Sequence, residues 1–312
     1  MVEQNQYRNI HGILLLNKPT GISSNAALQR AKRLFRASKA GHTGSLDNLA
    51  SGLLPICFGE ATKLSRFLLE ADKRYQAECT LGVTTTTGDA QGEILQTRSI
   101  THLNNEKIDE VIQKFIGTSQ QIPPMYSALK HQGKALYKLA RQGKTVPRQA
   151  RTITIYDLVV QRWVEQHLVI EVHCSKGTYI RTLAEDIGQA LGCGAHISAL
   201  HRLSVGNYQD MVDFNTLEQL AQQSWQHLEP VLLPMHTLLS HWPTVILTPK
   251  LAHDLCQGRA VPVTHAPTQG WVKLVVTAAQ TVAAANQPAN QFLGIGQVLE
   301  DGRIAPRRLI NL

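Results

Sequence analysis

Gly41-His-Thr-Gly-Ser-Leu-Asp-Asn-Leu-Ala50 is a loop of glycines and small polar residues built around one carboxylate, Asp47. Two readings of that carboxylate follow from its spacing. Aspartate is a favoured cap, because its short side chain accepts from backbone N–H groups of the segment that follows, here one beginning at Asn48. A lone acid among small residues and backbone donors is also a group that a ligand can reach. Residue types alone leave the choice open.

Working outward, residues 12–17 read as a short aliphatic strand that ends at Lys18-Pro19. Gly21-Ile-Ser-Ser-Asn25 then supplies a turn and a cap, Ser23 or Ser24, for a helix with Leu28, Ala31, Leu34 and Phe35 on one face. After the loop, Leu53, Leu54 and Ile56 are apolar enough for a core. A second helix is expected from Glu60 to Glu70 and a strand from Lys73 to Gly82. Thr84-Thr-Thr-Thr-Gly-Asp89 is polar and of low complexity, and reads as a connection only.

Further along, helix is expected near 105–116, before the Pro123-Pro124 breaker. Residues 152–160 and 167–174 form a hairpin of β-branched strands. Lys176-Gly-Thr178 turns into a helix whose Ile180, Leu183, Ala184, Ile187 and Leu191 face inward, with Gly192 at its C-terminus. Residues 216–240 are helical in pattern. His241-Trp-Pro-Thr-Val-Ile-Leu-Thr-Pro249 reads as a linker, and 250–312 as a small β-rich module. Short strands mixed with helices, without regular βαβ alternation or a G-x-G-x-x-G fingerprint, predict an α+β fold. The expected domains are 10–245 and 250–312.

The chain of 312 residues carries a formal charge of +8, which favours a polyanionic partner. Distribution says more than the total. From Val111 to Tyr156 there is no Asp or Glu, while Lys114, Lys130, Lys134, Lys138, Arg141, Lys144, Arg148 and Arg151 all fall within it. A second acid-free stretch, Pro19 to Leu46, holds Arg30, Lys32, Arg33, Arg36 and Lys39. One charge run is commonly a solvated face, but two without interspersed acids point to a phosphate backbone. Residues 125–151, where helix-forming Leu136 and Leu139 are studded with Lys and Arg, read as a basic excursion from the core.

Five dispersed cysteines without a C-x-x-C pair argue against a disulfide framework and a zinc ribbon, leaving reduced, buried thiols. The 13 histidines include no H-E-x-x-H helix, so no metal is expected. The polar opening lacks a signal-peptide core, and Ile13-Leu-Leu-Leu16 is too short to span a bilayer. No membrane association and a cytoplasmic location are the expectation.

Six motifs, in order over nearly the whole chain, resemble those of the TruB-type tRNA pseudouridine synthases of bacteria. They are Gly12-Ile-Leu-Leu-Leu-Asn-Lys-Pro-Thr-Gly-Ile-Ser-Ser24, the segment from Lys39 to Pro55 around Asp47, and Asp72-Lys-Arg-Tyr-Gln76. Cys174-Ser-Lys-Gly-Thr-Tyr-Ile-Arg-Thr-Leu183, Ala199-Leu-His-Arg-Leu203 and Asp301-Gly-Arg-Ile-Ala-Pro-Arg-Arg-Leu309 complete the set. Two positions depart from the family pattern. Asn48 stands where the family usually has Pro, and His201 where it usually has Arg; the first loosens the loop, because Pro fixes φ and Asn does not.

The resemblance implies a mixed, mainly antiparallel sheet flanked by helices, with a small PUA-like C-terminal domain that contacts the acceptor stem of tRNA. It implies isomerisation of uridine 55 in the T loop, without cofactor or metal. Asp47 becomes the nucleophile, Arg181 its ion-pair partner, and Tyr75 a residue that stacks on the target uracil and relays a proton. Tyr179 and Leu200 line the uracil pocket, and Lys18 and Lys176 join the substrate-binding set. His42 fills the place that the flipped uridine vacates. The basic excursion, with Lys130, Lys134, Lys138 and Arg141, grips the T loop. A monomer that needs no protein partner is expected.

Two other functions fit parts of the sequence. An RNA chaperone that grips tRNA without chemistry would need the basic surfaces but not Asp47, Tyr75 and Arg181 together. A nucleoside hydrolase using an Asp nucleophile would want a second acid nearby, and none occurs between Pro19 and Leu46.

Overall fold

The computed structural model describes residues 7–277 and 290–311. The polar opening over residues 1–6 and part of the β-rich module, 278–289, lie outside the described residues. The chain opens with β1 (Gly12–Lys18), α1 (Ser24–Leu34), β2 (Ala40–His42) and β3 (Ser51–Phe58). Ser23 caps α1 by accepting from the Ala26 amide at 3.1 Å, while Ser24 turns inward and exchanges hydrogen bonds with the Leu46 backbone. Side chains alternate across a strand, so Leu14 and Leu16 of β1 enter one core and Ile13 and Leu15 another. That is why the strand reads as a continuous aliphatic run.

The expected helix from Glu60 to Glu70 is a 3-10 turn, Gly59–Leu64, followed by α2 (Ser65–Glu70). Next come β4 (Lys73–Leu81), the hairpin β5 (Val83–Thr85) and β6 (Ile94–Thr97), α3 (Asn105–Gln113) and β7 (Gly117–Gln121). The basic excursion contains only β8 (Lys130–His131), β9 (Lys134–Ala135) and α4 (Leu136–Ala140). Leu136 and Leu139 are buried within it, yet neither joins a main apolar cluster. The expected hairpin is β10 (Arg151–Val164) with β11 (His167–Cys174), and the helix after it is α5 (Ile180–Ala190). All five residues expected to face inward on α5 are buried, and Gly192 ends it with φ +82°.

After β12 (Ala195–Val205) and α6 (Phe214–Gln223), the presumed linker is in fact structured. It forms β13 (Thr244–Leu247), because Val245 and Leu247 alternate into a small core while Thr244 and Ile246 face out. Thr248 then caps α7 (Pro249–Cys256), with Pro249 in the first turn, so the module is not purely β. It closes with β14 (Gly270–Thr277), β15 (Asn290–Val298) and β16 (Ile304–Leu309).

Eight strands form the main sheet in the order β1-β3-β12-β4-β11-β10-β7, with β2 added to β3. Its pairings are antiparallel except between β12 and β3. That parallel contact is short, His201 to Ser51 and Arg202 to Gly52, and it needs a glycine. A Cβ on Gly52 would sit 2.3 Å from the Arg202 carbonyl oxygen, and the residue has φ +99°. The smaller sheet, β13-β14-β15-β16, docks on the main one where Ile295 and Ile310 meet Ile13 and Leu53. Four cysteines are buried and Cys256 is exposed; none is disulfide-bonded. No helix among the described residues is long and apolar enough to cross a membrane.

Candidate active site

Asp47 sits in the loop between β2 and β3, and its side chain caps nothing that follows. The turn after it closes instead through the backbone, Ala50 N–H to the Asp47 carbonyl at 3.1 Å. The carboxylate points across to α5, where Asp47 Oδ2 lies 2.9 Å from Arg181 Nε. The capping reading of Asp47 is thereby set aside. The loop is held without a proline at 48: Gly21 N–H donates to the Asn48 carbonyl at 2.8 Å, and Ser24 Oγ accepts from the Leu46 amide at 2.8 Å.

Arg181 is enclosed, with 5% of its side chain exposed, whereas Asp47 keeps 46%. The guanidinium also donates to the carbonyls of Thr87, at 3.0 Å, and Tyr126, at 2.6 Å. A second carboxylate, Asp89, approaches to 3.9 Å. The Thr-rich loop therefore does more than connect. Its backbone and Asp89 form one wall around Arg181, a contact that no local pattern in a polar loop announces. The second acid missing from the loop sequence thus comes from elsewhere in the chain. Asp89 is fixed by accepting from the Thr87 hydroxyl at 2.6 Å and the Gln91 amide at 3.0 Å, so it acts as an acceptor that steadies Arg181.

Burial pushes the Asp47 carboxyl above its ordinary value, and Asp89 adds to that rise, while Arg181 and Lys18 pull it back. Lys18 is fully buried, and its ammonium donates to the Pro19 and Ile22 carbonyls at 2.7 and 2.8 Å. Burial lowers it to about 8, against the opposing pull of Asp47. Tyr75 on β4 is buried, and loss of water raises its phenol. Tyr179, half-buried at the start of α5, is raised in the same way. Both lie close enough to Asp47 to feel its charge. Gln121 fixes Tyr179 through its backbone, accepting from its amide at 2.8 Å and donating to its carbonyl at 3.1 Å.

Other expected site residues fall further out. His42 on β2 is half-buried, with Nδ1 enclosed and lacking a hydrogen-bond partner among the described residues. Burial and the charge of Arg202 lower it, which favours the neutral ring. Leu200 lines an open cleft of about 390 Å³ with Thr20, Ser51 and Gln76, and Asp47 does not line it. Lys176 is exposed, its ammonium 3.8 Å from Glu70. Lys130, Lys134, Lys138 and Arg141 are exposed, and among the described residues no acidic side chain pairs with them. His201 is tied by a 2.8 Å bond between Nδ1 and Ser51 Oγ. The described residues include no group of His, Cys, Asp and Glu arranged to hold a metal ion.

Arg202 is the residue near the site that sequence reasoning passed over. It lies inside the Ala199–Leu203 motif but drew no role there, because a lone arginine in a strand carries no periodic signal. It is 1% exposed and sits against Tyr75 and the Asp47 loop.

A model for the N-terminal domain of TruB family pseudouridylate synthases matches residues 32–180, and one for the C-terminal domain of tRNA pseudouridylate synthase B matches 181–240. A third, for the C-terminal part of pseudouridine synthase II TruB, matches 243–310. Two solved structures share the fold across almost the whole chain. One is an archaeal box H/ACA sRNP Nop10–Cbf5 complex, at TM-score 0.66 and 21% identity, covering 97% of this chain and 86% of that one. The other is an H/ACA RNP bound to a substrate RNA containing 2'-deoxyuridine, at TM-score 0.68 and 22% identity, covering 96% and 85%.

Whole-length relatives then fix the family. A tRNA pseudouridine synthase B of Nitrosococcus oceani is 55% identical, covering 98% of this chain and 96% of its own. One from Coxiella burnetii (strain RSA 493 / Nine Mile phase I) is 51% identical, covering 97% and 96%. The chain belongs to the TruB family of pseudouridylate synthases and is an enzyme of the isomerase class.

Proposed function

We propose that this protein converts uridine 55 in the T loop of tRNA to pseudouridine, with Asp47 as the reacting carboxylate and without cofactor or metal. The observation that carries the reading is the Asp47–Arg181 pair, in which the guanidinium is enclosed and the carboxylate stays open on one side. The names of the whole-length relatives support tRNA as the substrate.

In the reaction the N1–C1′ bond breaks, the uracil turns, and C5 bonds to C1′. C5 then loses its proton and N1 gains one, so nothing is oxidised or consumed. Asp47 assists by attacking C1′ or by taking the C2′ proton to give a glycal; attack at C6 is the third route. Each needs an ionised carboxylate aimed at the sugar or base, which Arg181 favours by charge and by a directed hydrogen bond. Tyr75, kept neutral by burial, offers a ring for stacking and a hydroxyl for relaying the C5 proton.

The target base must leave its stack, at a cost of a few kcal/mol that is lower in a loop than in a duplex. A neutral His42 suits the vacated place, since an uncharged ring stacks without desolvating a cation. The exposed cations of 125–151 suit the phosphates of the T arm. The small sheet with α7, as a PUA-like domain that begins at β13 and not at residue 250, reaches the acceptor stem. The enzyme works as a cytoplasmic monomer without an obligatory protein partner.

The test is incubation with a T-arm stem-loop, followed by carbodiimide treatment and mapping of the adduct. An adduct at the single loop position is expected. Tight binding without any adduct would favour the chaperone reading instead.

A further inference from the structure

Arg202 is among the largest fully buried side chains of the molecule. A buried guanidinium is costly unless its donors and charge are matched, and carboxylates are its usual partners. No acidic side chain pairs with it among the described residues. Its partners are carbonyl oxygens from two places in the chain. Nε donates to Leu53 on β3 at 2.6 Å, and Nη2 donates to Gly44, at the start of the Asp47 loop, at 3.0 Å. Nη1 lies so close to Gly44 that a Cβ there would meet it at 3.5 Å.

The third side of the guanidinium faces Tyr75, which is also the register partner of Arg202 across β12 and β4. One rigid planar group therefore joins three parts: the strand that leaves the Asp47 loop, the neck that enters it, and the strand that carries Tyr75. The planar fork suits such bridging, because its donors point in fixed directions. A lysine ammonium at the end of a flexible stem would satisfy fewer of these acceptors at once.

We propose that Arg202 is a positioning residue of the isomerisation, setting the separation of Asp47 and Tyr75 by clamping the Gly44 neck to β3 beneath the Tyr75 hydroxyl. The inference rests on the proposed role of Asp47. Asp47 meets the reacting carbon or proton and Tyr75 meets the base, so an error in their separation misplaces the reacting atoms. Misplacement of about 1 Å costs on the order of a hundredfold in rate while leaving contacts to the rest of the RNA in place.

The test uses the full chain with substitutions Arg202→Lys and Arg202→Met, and separately Gly44→Ala, which disturbs the neck and leaves Arg202 in place. RNA affinity and the single-turnover rate of pseudouridine formation on a T-arm stem-loop are measured for each, with thermal unfolding alongside. Arg202→Lys should fold and react about tenfold more slowly, and Arg202→Met about a hundredfold or more, with affinity within about threefold. Gly44→Ala should lower the rate in the same selective way. Single-turnover rates near that of the unsubstituted enzyme in the Lys and Met variants would overturn the proposal. So would loss of rate and affinity in equal measure, or failure of all three variants to fold, each of which makes Arg202 a structural residue. An inactive unsubstituted enzyme, or an active Asp47→Asn variant, would instead refute the role of Asp47.

Discussion

Arg181 Nε stands 2.9 Å from Asp47 Oδ2, and the two residues differ sharply in exposure, 5% against 46% of their side-chain surfaces. The asymmetry makes the pair useful for chemistry. Arg181 is fixed through Nη1 and Nη2 by the Thr87 and Tyr126 carbonyls, so its Nε–H, which Asp89 approaches only to 3.9 Å, holds the Asp47 carboxylate in one orientation. Asp47 is free on its other side to meet a substrate. When RNA covers the loop and expels water, the attraction between the pair strengthens, because a lower dielectric screens it less.

Substitution Arg181→Lys keeps a charge but not the geometry. Its ammonium cannot reach Asp47 and both carbonyls together, so a buried carbonyl or the carboxylate goes unpaired. The single-turnover rate should fall by about a hundredfold or more, with RNA affinity little changed. A lysine variant as fast as the parent would show that charge alone suffices.

The pH dependence follows from the direction of the Asp47 shift. Burial raises the carboxyl and Arg181 opposes the rise, so the reactive carboxylate is present above the folded pKa and lost as pH falls through it. The acid limb of the single-turnover rate should lie above the ordinary aspartate value of about 3.9. Substitution Arg181→Met removes a lowering partner and should move that limb to higher pH in whatever activity survives. A limb that moves lower would contradict the pairing.

Lys134, Lys138 and Arg141 of the excursion are exposed and, among the described residues, unpaired by acids, which suits them to phosphates. Joint substitution of Lys134, Lys138 and Arg141 by Ala should weaken binding and reduce the slope of log K against log salt by about 2 to 3. Fluorescence titration of a T-arm stem-loop at several salt concentrations measures this. An unchanged slope would exclude the excursion from the contact surface.

Gly52 supports the site from beneath, where β12 meets β3. An alanine there would press its Cβ to 2.3 Å from the Arg202 carbonyl oxygen in a backbone conformation with φ +99°. Substitution Gly52→Ala should cost roughly 3 kcal/mol or more and lower the unfolding midpoint, as denaturant titration would show. Undiminished stability would mean that the two strands part easily.

Much of this was legible in the sequence, for reasons that differ by residue. The helices and hairpin around Arg181 follow local periodicity, and Ile180, Leu183 and Ile187 are buried as their spacing predicts. Asp47, Tyr75 and Arg181 were legible through ordered motifs, since spacing alone left Asp47 a plausible cap. Asp89 was not, because a threonine-rich loop looks the same whether or not it folds against a distant arginine. Arg202 was hidden for a similar reason: its partners are carbonyl oxygens, which every residue carries. The strand Thr244–Leu247 reads as a linker in the sequence because flanking prolines outweigh a four-residue alternation.

The claim that Asp47 performs the chemistry is tested most directly by the isosteric substitution Asp47→Asn, which removes the ionisable group and keeps the size. A T-arm stem-loop carrying uridine tritiated at C5 releases its label to water when pseudouridine forms, while filter binding reports affinity. Release from the Asp47→Asn enzyme should fall below detection, with affinity within about threefold of the parent, because catalytic and binding energies separate when a group acts only on the reacting atoms. Continued release of the label, or loss of affinity equal to the loss of rate, would contradict the account.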